Sequence, residues 1–267
     1  MNINPALQTK LTLASILVLM AGLCAFLGLL PLIHVLSAAL LVTLLWAHEW
    51  TRATPLKVLS WIGILVVGMF MALYRPEGFS YFNSISVEQL HAGGKPFQQF
   101  INLGKWFGAL IIFCWLMQGT IKTDIRLAVK PKSLIIISTA VATILCLATL
   151  ILNLQVALKL SYITLIFLAV NLVITCFSEE TFYRLVVQKP SEKAFSIPVA
   201  GRAFGVLIAS TFFTLTHFSP QTDFHVVMAL AGTLYAITYA LTRSVSASIF
   251  VHFFVNALHF MLLTYPL

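Results

Sequence analysis

Charge is what this sequence has least of. Of 267 residues only 9% are Asp, Glu, Lys or Arg, against roughly 25% in soluble domains. That shortage leaves no charged surface of ordinary extent and removes a water-soluble globule from consideration. Cysteine is sparse as well: Cys24, Cys114, Cys146 and Cys176 stand singly inside apolar stretches. No C-x-x-C spacing occurs, which argues against a disulfide framework and a zinc knuckle. Serine nucleophile elbows of the G-x-S-x-G type are absent, so a serine hydrolase has no support. His48-Glu49-Trp50-Thr51-Arg52 opens like the H-E-x-x-H zinc signature but carries Arg52 where the second histidine belongs. It reads as a short interfacial loop. No repeat of 20–50 residues and no low-complexity tract appears.

Hydrophobic residues make up 60% of the chain, and they come in runs near the roughly 20 residues needed to cross a bilayer. Nine runs are delimited: 11–30, 32–47, 56–74, 105–119, 133–153, 156–178, 203–217, 225–241 and 245–264. They are continuous and do not alternate with period two, which excludes a membrane β-barrel. Backbone groups in hydrocarbon must be satisfied within the segment, so each run is a helix. The expected fold is all-α, a polytopic transmembrane bundle of about eight or nine helices. The first run, preceded by Lys10, is too long for the core of a cleaved signal and lacks a small-residue cleavage site, so it is expected to stay.

The net charge of +8 follows topology. With the N-terminus inside, the inner loops carry Lys10, Arg52, Lys57, Lys122, Arg126, Lys130, Lys132, Lys189, Lys193, Arg202 and Arg243. The outer loops carry Arg75, Lys95 and Lys105, while Lys159 and Arg184 lie within runs. This is the positive-inside pattern. It predicts an integral, multi-pass membrane protein with its N-terminus inside, whose partner is the lipid bilayer and not nucleic acid; the short loops and size point to a bacterial cytoplasmic membrane. Residues 75–104 form a long outer loop, expected to hold a short interfacial helix or, in a sharper reading, a substrate flap. Lys189 and Pro190 are expected to end the sixth run, because proline disfavours helical geometry in the residue before it.

Polar residues inside the runs are concentrated in one half. Scaffold helices are expected over 1–155 and a working core over 156–267, where Glu179, Glu180, Arg184, His217, His252, Asn256 and His259 lie. Ionisable groups cost several kcal/mol each in a spanning helix, about 2.5–3.5 for Asp, Lys or Arg at its centre, so a set of them calls for partners or a wet cavity. On a continuous helix Glu180 and Arg184 share a face and form an i, i+4 ion pair in the favoured order. Glu179 projects about 100° away and need not be neutralised by that arginine. One glutamate holds and the other works as a general base or acid. Phe213 and His217 are four apart on one face, as are His252 and Asn256. Gly232 and Thr233 allow the intervening run to pack closely. A carboxylate with two imidazoles, Glu179, His217 and His252, can hold a divalent metal such as zinc and activate its water. Equally, the glutamate can activate water directly, with His and Asn donating to an oxyanion. Both routes end in hydrolysis of a peptide bond, and both stay open. By depth, Glu179 and His252 match at about 10–13 Å from the inner surface, while His217 falls nearer ~20 Å.

Glu179-Glu180-Thr181-Phe182-Tyr183-Arg184 fits E-E-x-x-x-R, Phe213 to His217 fits F-x-x-x-H, and His252 to Asn256 fits H-x-x-x-N. With a motif-free helix before the last, this order resembles the CAAX prenyl protease and bacteriocin-processing family of intramembrane endopeptidases, over roughly 156–263. The resemblance implies that Glu179 activates water, that Glu180 and Arg184 support it, that His217 and His252 line the site, and that Asn256 stabilises the oxyanion. It implies a membrane-associated protein or peptide as substrate, and either a metal-dependent or a metal-free glutamate mechanism. The site is expected in a conical polar cavity between the sixth, seventh and ninth runs. Two readings from other classes stand beside it. One is a proton-coupled transporter, which would show inverted repeats or broken helices; the other is a non-catalytic immunity or scaffold protein.

Overall fold

The structure is a computed structural model that describes residues 5–91, 93–217, 219 and 221–265. Among these residues there are ten helices, eight of them long and apolar enough to cross a membrane. In chain order they are α1 (Pro5–Phe26), α2 (Leu32–Trp50), α3 (Thr54–Leu73), α4 (Leu103–Leu116), α5 (Ile121–Ala128), α6 (Pro131–Ile151), α7 (Tyr162–Ala194), α8 (Pro198–Thr216), α9 (Thr222–Thr242) and α10 (Val245–Leu262). Between α3 and α4 stand two short paired strands, β1 (Phe82–Val87) and β2 (Phe97–Ile101). The all-α polytopic expectation holds. The interfacial helix expected within 75–104 does not form. Phe82, Ile85, Val87, Phe97, Phe100 and Ile101 supply β-favouring residues to the two strands.

Outward-facing side chains are large and apolar: Leu19, Phe26, Leu150, Leu165 and Leu215 are each more than half exposed. In water such a surface would aggregate; in a bilayer it is the solvent-facing side. Two compact units divide the chain. One takes the N-terminal part to Phe82 with Phe100–Gly119, the other Asn83–Gln99 with Thr120–Leu267. In the second unit α6 packs on α9 and α10, and α5 packs on α10.

In the first unit α1 to α4 pack together. Lys10 bonds Glu49 at 2.9 Å, and the Trp115 indole N–H donates to the same carboxylate at 2.9 Å. This ties α1, α2 and α4 at one point. His48 to Trp50 therefore finish α2 and are not the loop expected there. His34 is buried beside Phe70 and Tyr74 and packs between helices of this unit.

In the second unit, α7 is the longest element. It contains π-helical turns at Asn171–Cys176 and Phe182–Gln188 around an α-helical stretch, Phe177–Thr181. It does not stop at Pro190 but runs on to Ala194. The proline comes just after the second π-helical segment, where the hydrogen-bond register changes and a missing N–H is tolerated. At its start, α7 is shorter than the run 156–178. Lys159 precedes the helix, and its ammonium donates to the carbonyls of Ala157 and Leu263. There Ala157 N–H and Lys159 N–H also donate to the carbonyls of Leu262 and Met261. Burial lowers the pKa of Lys159. Ile85 and Phe97 of the hairpin pack with Phe167 of α7 and Phe260 of α10 in one core cluster.

The start of α10 is anchored from a distance. Asp124 on α5 is buried, and its carboxylate accepts from the backbone N–H of Val245 at 2.7 Å and of Ser246 at 3.0 Å. A carboxylate on the first-turn N–H groups satisfies donors that the helix itself cannot, and complements its dipole. Ser244 adds the ordinary cap, accepting from Ala247 N–H at 3.1 Å.

Candidate active site

Four elements of the second unit converge: α7, α8, α9 and α10. The first two are antiparallel neighbours joined by residues 195–197. Glu179 lies about 15 residues before the end of α7, and His217 about 19 after the start of α8, so the hairpin brings them level. The mismatch in depth came from ending α7 too early.

Glu180 and Arg184 are both wholly buried, and Arg184 Nε donates to Glu180 Oε2 at 2.8 Å. Arg184 Nη1 also donates to Gln188 Oε1 at 2.6 Å, and Gln188 Nε2 to the Ala236 carbonyl on α9 at 2.9 Å. The other oxygen of Glu180 accepts from His252 Nδ1 at 2.9 Å. Glu180 is thus committed on both oxygens, to a guanidinium and to an imidazole. Desolvating such a pair is costly, and these bonds offset that cost, although Arg184 Nη2 finds no partner among the described residues.

Glu179 faces elsewhere. Its Oε2 lies 3.5 Å from His217 Nε2 and 4.0 Å from His252 Nε2, beyond the range of a strong N–H···O bond. The ring orientations follow from the other nitrogens. His217 Nδ1 is 2.7 Å from the Phe213 carbonyl, which can only accept. His252 Nδ1 meets a carboxylate oxygen held in a salt bridge. Each Nδ1 therefore carries the proton, and in the neutral ring each Nε2 presents a lone pair towards Glu179. Both rings are also held from their faces. His217 stacks on Phe213 at 4.2 Å and His252 on Tyr235 at 4.6 Å. A Cβ on Gly232 would come 2.8 Å from Phe213 Cδ1, so that glycine is what lets α9 press Phe213 into place. The Glu179 side chain is 11% exposed and that of His217 27%, which makes this side of the site the reachable one.

Asn256 sits one turn beyond His252 and donates to Asn171 Oδ1 on α7 at 3.0 Å. Asn171 is buried, and its own Nδ2 has no partner among the described residues. His259 takes no part; its Nε2 bonds the Thr264 carbonyl at 3.2 Å. Five of the six expected site residues are thus linked by direct contacts, and Asn256 stands beside them on α10, bonded to Asn171. Sequence reasoning passed over Asn171, Gln188, Tyr235 and Phe213's carbonyl. Gln188 could have been found by extending the i, i+4 series 180, 184; Asn171 is a polar interruption of an apolar run. Tyr235 carries no sequence signal.

A carboxylate and two imidazole Nε2 atoms are donors that zinc accepts, and Nδ1 bonds to a carbonyl and a carboxylate are the outer contacts that orient metal-binding histidines. As they stand, no group of three or more His, Cys, Asp or Glu among the described residues is arranged to hold an ion.

Residues 161–258 match the protein-family model for type II CAAX prenyl endopeptidases, Rce1-like. That match supports the CAAX protease family for this chain. It spans the start of α7 to the far end of α10 and includes every residue of the cluster above. A search of curated proteins and one of solved structures each returned no match. The match agrees with a CAAX-type membrane endopeptidase, and the eight spanning helices with an integral multi-pass membrane protein.

Proposed function

We propose that the chain hydrolyses a peptide bond of a membrane-associated protein or peptide, with Glu179 as the residue that activates water. The observation that carries this reading is the contrast between two adjacent glutamates. Glu180 is bonded on both oxygens to Arg184 and His252, whereas Glu179 presents Oε2 to two imidazole nitrogens and is partly exposed. In this reading Glu179 takes a proton from water as its oxygen attacks the carbonyl carbon. The same proton is then delivered to the amine nitrogen as the C–N bond breaks. The developing oxyanion is stabilised by Asn256 and by the buried Asn171 amide beside it, with His217 and His252 holding water against Glu179. Glu180, Arg184 and Gln188 orient His252 and touch no substrate.

A divalent ion would be held by Glu179, His217 and His252, and would supply Lewis acidity to the attacking water. Chelation separates the two mechanisms. Loss of cleavage with recovery on added zinc assigns the ion to those three residues; cleavage that survives a strong chelator assigns water activation to Glu179 alone. The proposed orientation, N-terminus on the cytoplasmic side, rests on the distribution of Lys and Arg. The role of Glu179 is tested in proteoliposomes with peptide substrates. Glu179→Gln is expected to lower cleavage by about 10²–10⁴-fold with an unchanged melting temperature; wild-type turnover by that variant overturns the assignment.

A further inference from the structure

Away from the carboxylate–imidazole cluster, the end of α7, the start of α8 and the end of α9 border an open cavity of about 320 Å³. It is lined by Lys189, Glu192, Lys193, Pro198, Arg202 and Arg243. Four cations face one carboxylate, and that carboxylate is already engaged: Arg243 Nη1 donates to Glu192 Oε2 at 2.7 Å. Lys189, Lys193 and Arg202 remain as an uncompensated positive set. Bringing like charges together costs energy that a bound anion repays.

Three features show that the cavity is built into the fold. Gly201 and Gly205 let α8 approach the end of α7 closely, since a Cβ at Gly201 would meet the Glu192 carbonyl oxygen at 2.2 Å and one at Gly205 would meet Glu192 Cγ at 2.6 Å. Arg243 caps α9 at φ +58°, in the left-handed region where glycine or asparagine is the ordinary choice. In that position its guanidinium lies 5.1 Å from the Tyr239 ring centroid and reaches Glu192. Finally, α8 begins here with Pro198 and without a side-chain cap, so the positive end of its dipole opens onto the same space.

The surroundings identify the class of anion. At ~1.5 Å per residue in its α-helical parts and somewhat less in its π-helical turns, the 33 residues of α7 still exceed the ~30 Å of bilayer hydrocarbon. Its end therefore reaches the headgroup layer. Next to the cavity, Phe195, Ile197 and Val199 are 49%, 65% and 71% exposed. A basic hollow rimmed by outward apolar side chains, at headgroup depth, matches a molecule with a phosphate at one end and acyl chains at the other. We propose that this cavity binds the phosphate headgroup of an anionic phospholipid.

Native mass spectrometry of the full chain, with phosphatidylglycerol and phosphatidylcholine of equal acyl length, tests it. Wild type is expected to retain phosphatidylglycerol over phosphatidylcholine by roughly fivefold or more. The exposed pair Lys193→Gln with Arg202→Gln is expected to lose that preference without a change in melting temperature, while Arg202→Lys, which keeps the charge, retains it. Millimolar inorganic phosphate should not displace the lipid. Equal retention of both lipids by wild type overturns the proposal, as does an unaltered preference in the double variant. Displacement by inorganic phosphate would assign the cavity to a soluble anion and overturn the lipid reading.

Discussion

At the scale of single residues, the site is a division of labour between neighbours that differ only in where a helix points them. Glu180 lies between a guanidinium and an imidazole, with no exposed surface; Glu179 lies between two imidazoles, with some. Removing one partner of a wholly buried ion pair strands the other, at about 3–5 kcal/mol. Arg184→Ala is therefore expected to lower the melting temperature and the yield of folded protein, measured by thermal denaturation in detergent, whereas Glu179→Gln is not. The Glu180–Arg184 pair was readable from a four-residue spacing, which any helical register preserves. Asn171, as the partner of Asn256, was not readable, because that contact joins α7 to α10 across 85 positions and no local rule connects them.

At the scale of elements, the site depends on how helices are started, stopped and spaced. Asp124 reaches from α5 to the first N–H groups of α10, the helix that carries His252 and Asn256. Asp124→Ala should cost about 1–2 kcal/mol, seen as a lower melting temperature, and should reduce kcat as the start of α10 frays. Gly232 is the second lever. Gly232→Ala places a methyl 2.8 Å from Phe213 Cδ1, displacing the ring on which His217 stacks. Cleavage is expected to fall by an order of magnitude or so for a 1.4 kcal/mol misplacement of the transition state, with far less effect on melting. Hydropathy found nearly every spanning helix because burial in lipid makes long apolar runs. It misjudged the ends of α7, since π-helical turns carry the chain past Pro190, and since Lys159 solves its burial with carbonyls instead of a helix. The paired strands between α3 and α4 were missed for a related reason: five or six residues without a period-two apolar pattern give little strand signal inside a thirty-residue loop.

At the scale of the whole molecule, the outward faces of the helices are apolar, and a minority of buried polar groups sits among largely apolar packing. In the proposed reading, water reaches the carboxylate–imidazole cluster beside Glu179 and His217, its partly exposed members. The orientation inferred from basic residues predicts that the N-terminus and the 195–197 turn face the cytoplasm. Single-cysteine labelling with a membrane-impermeant maleimide on intact cells should leave cysteines placed at both positions unmodified until the membrane is opened. The most direct test of the central claim, that Glu179 performs peptide-bond hydrolysis within the membrane, is quantitative membrane proteomics of cells carrying wild type or Glu179→Gln at equal abundance. The account predicts that at least one membrane-associated precursor accumulates uncut with Glu179→Gln and is processed with wild type. Identical precursor and product levels in the two strains, under conditions where the wild-type protein is active, would contradict it.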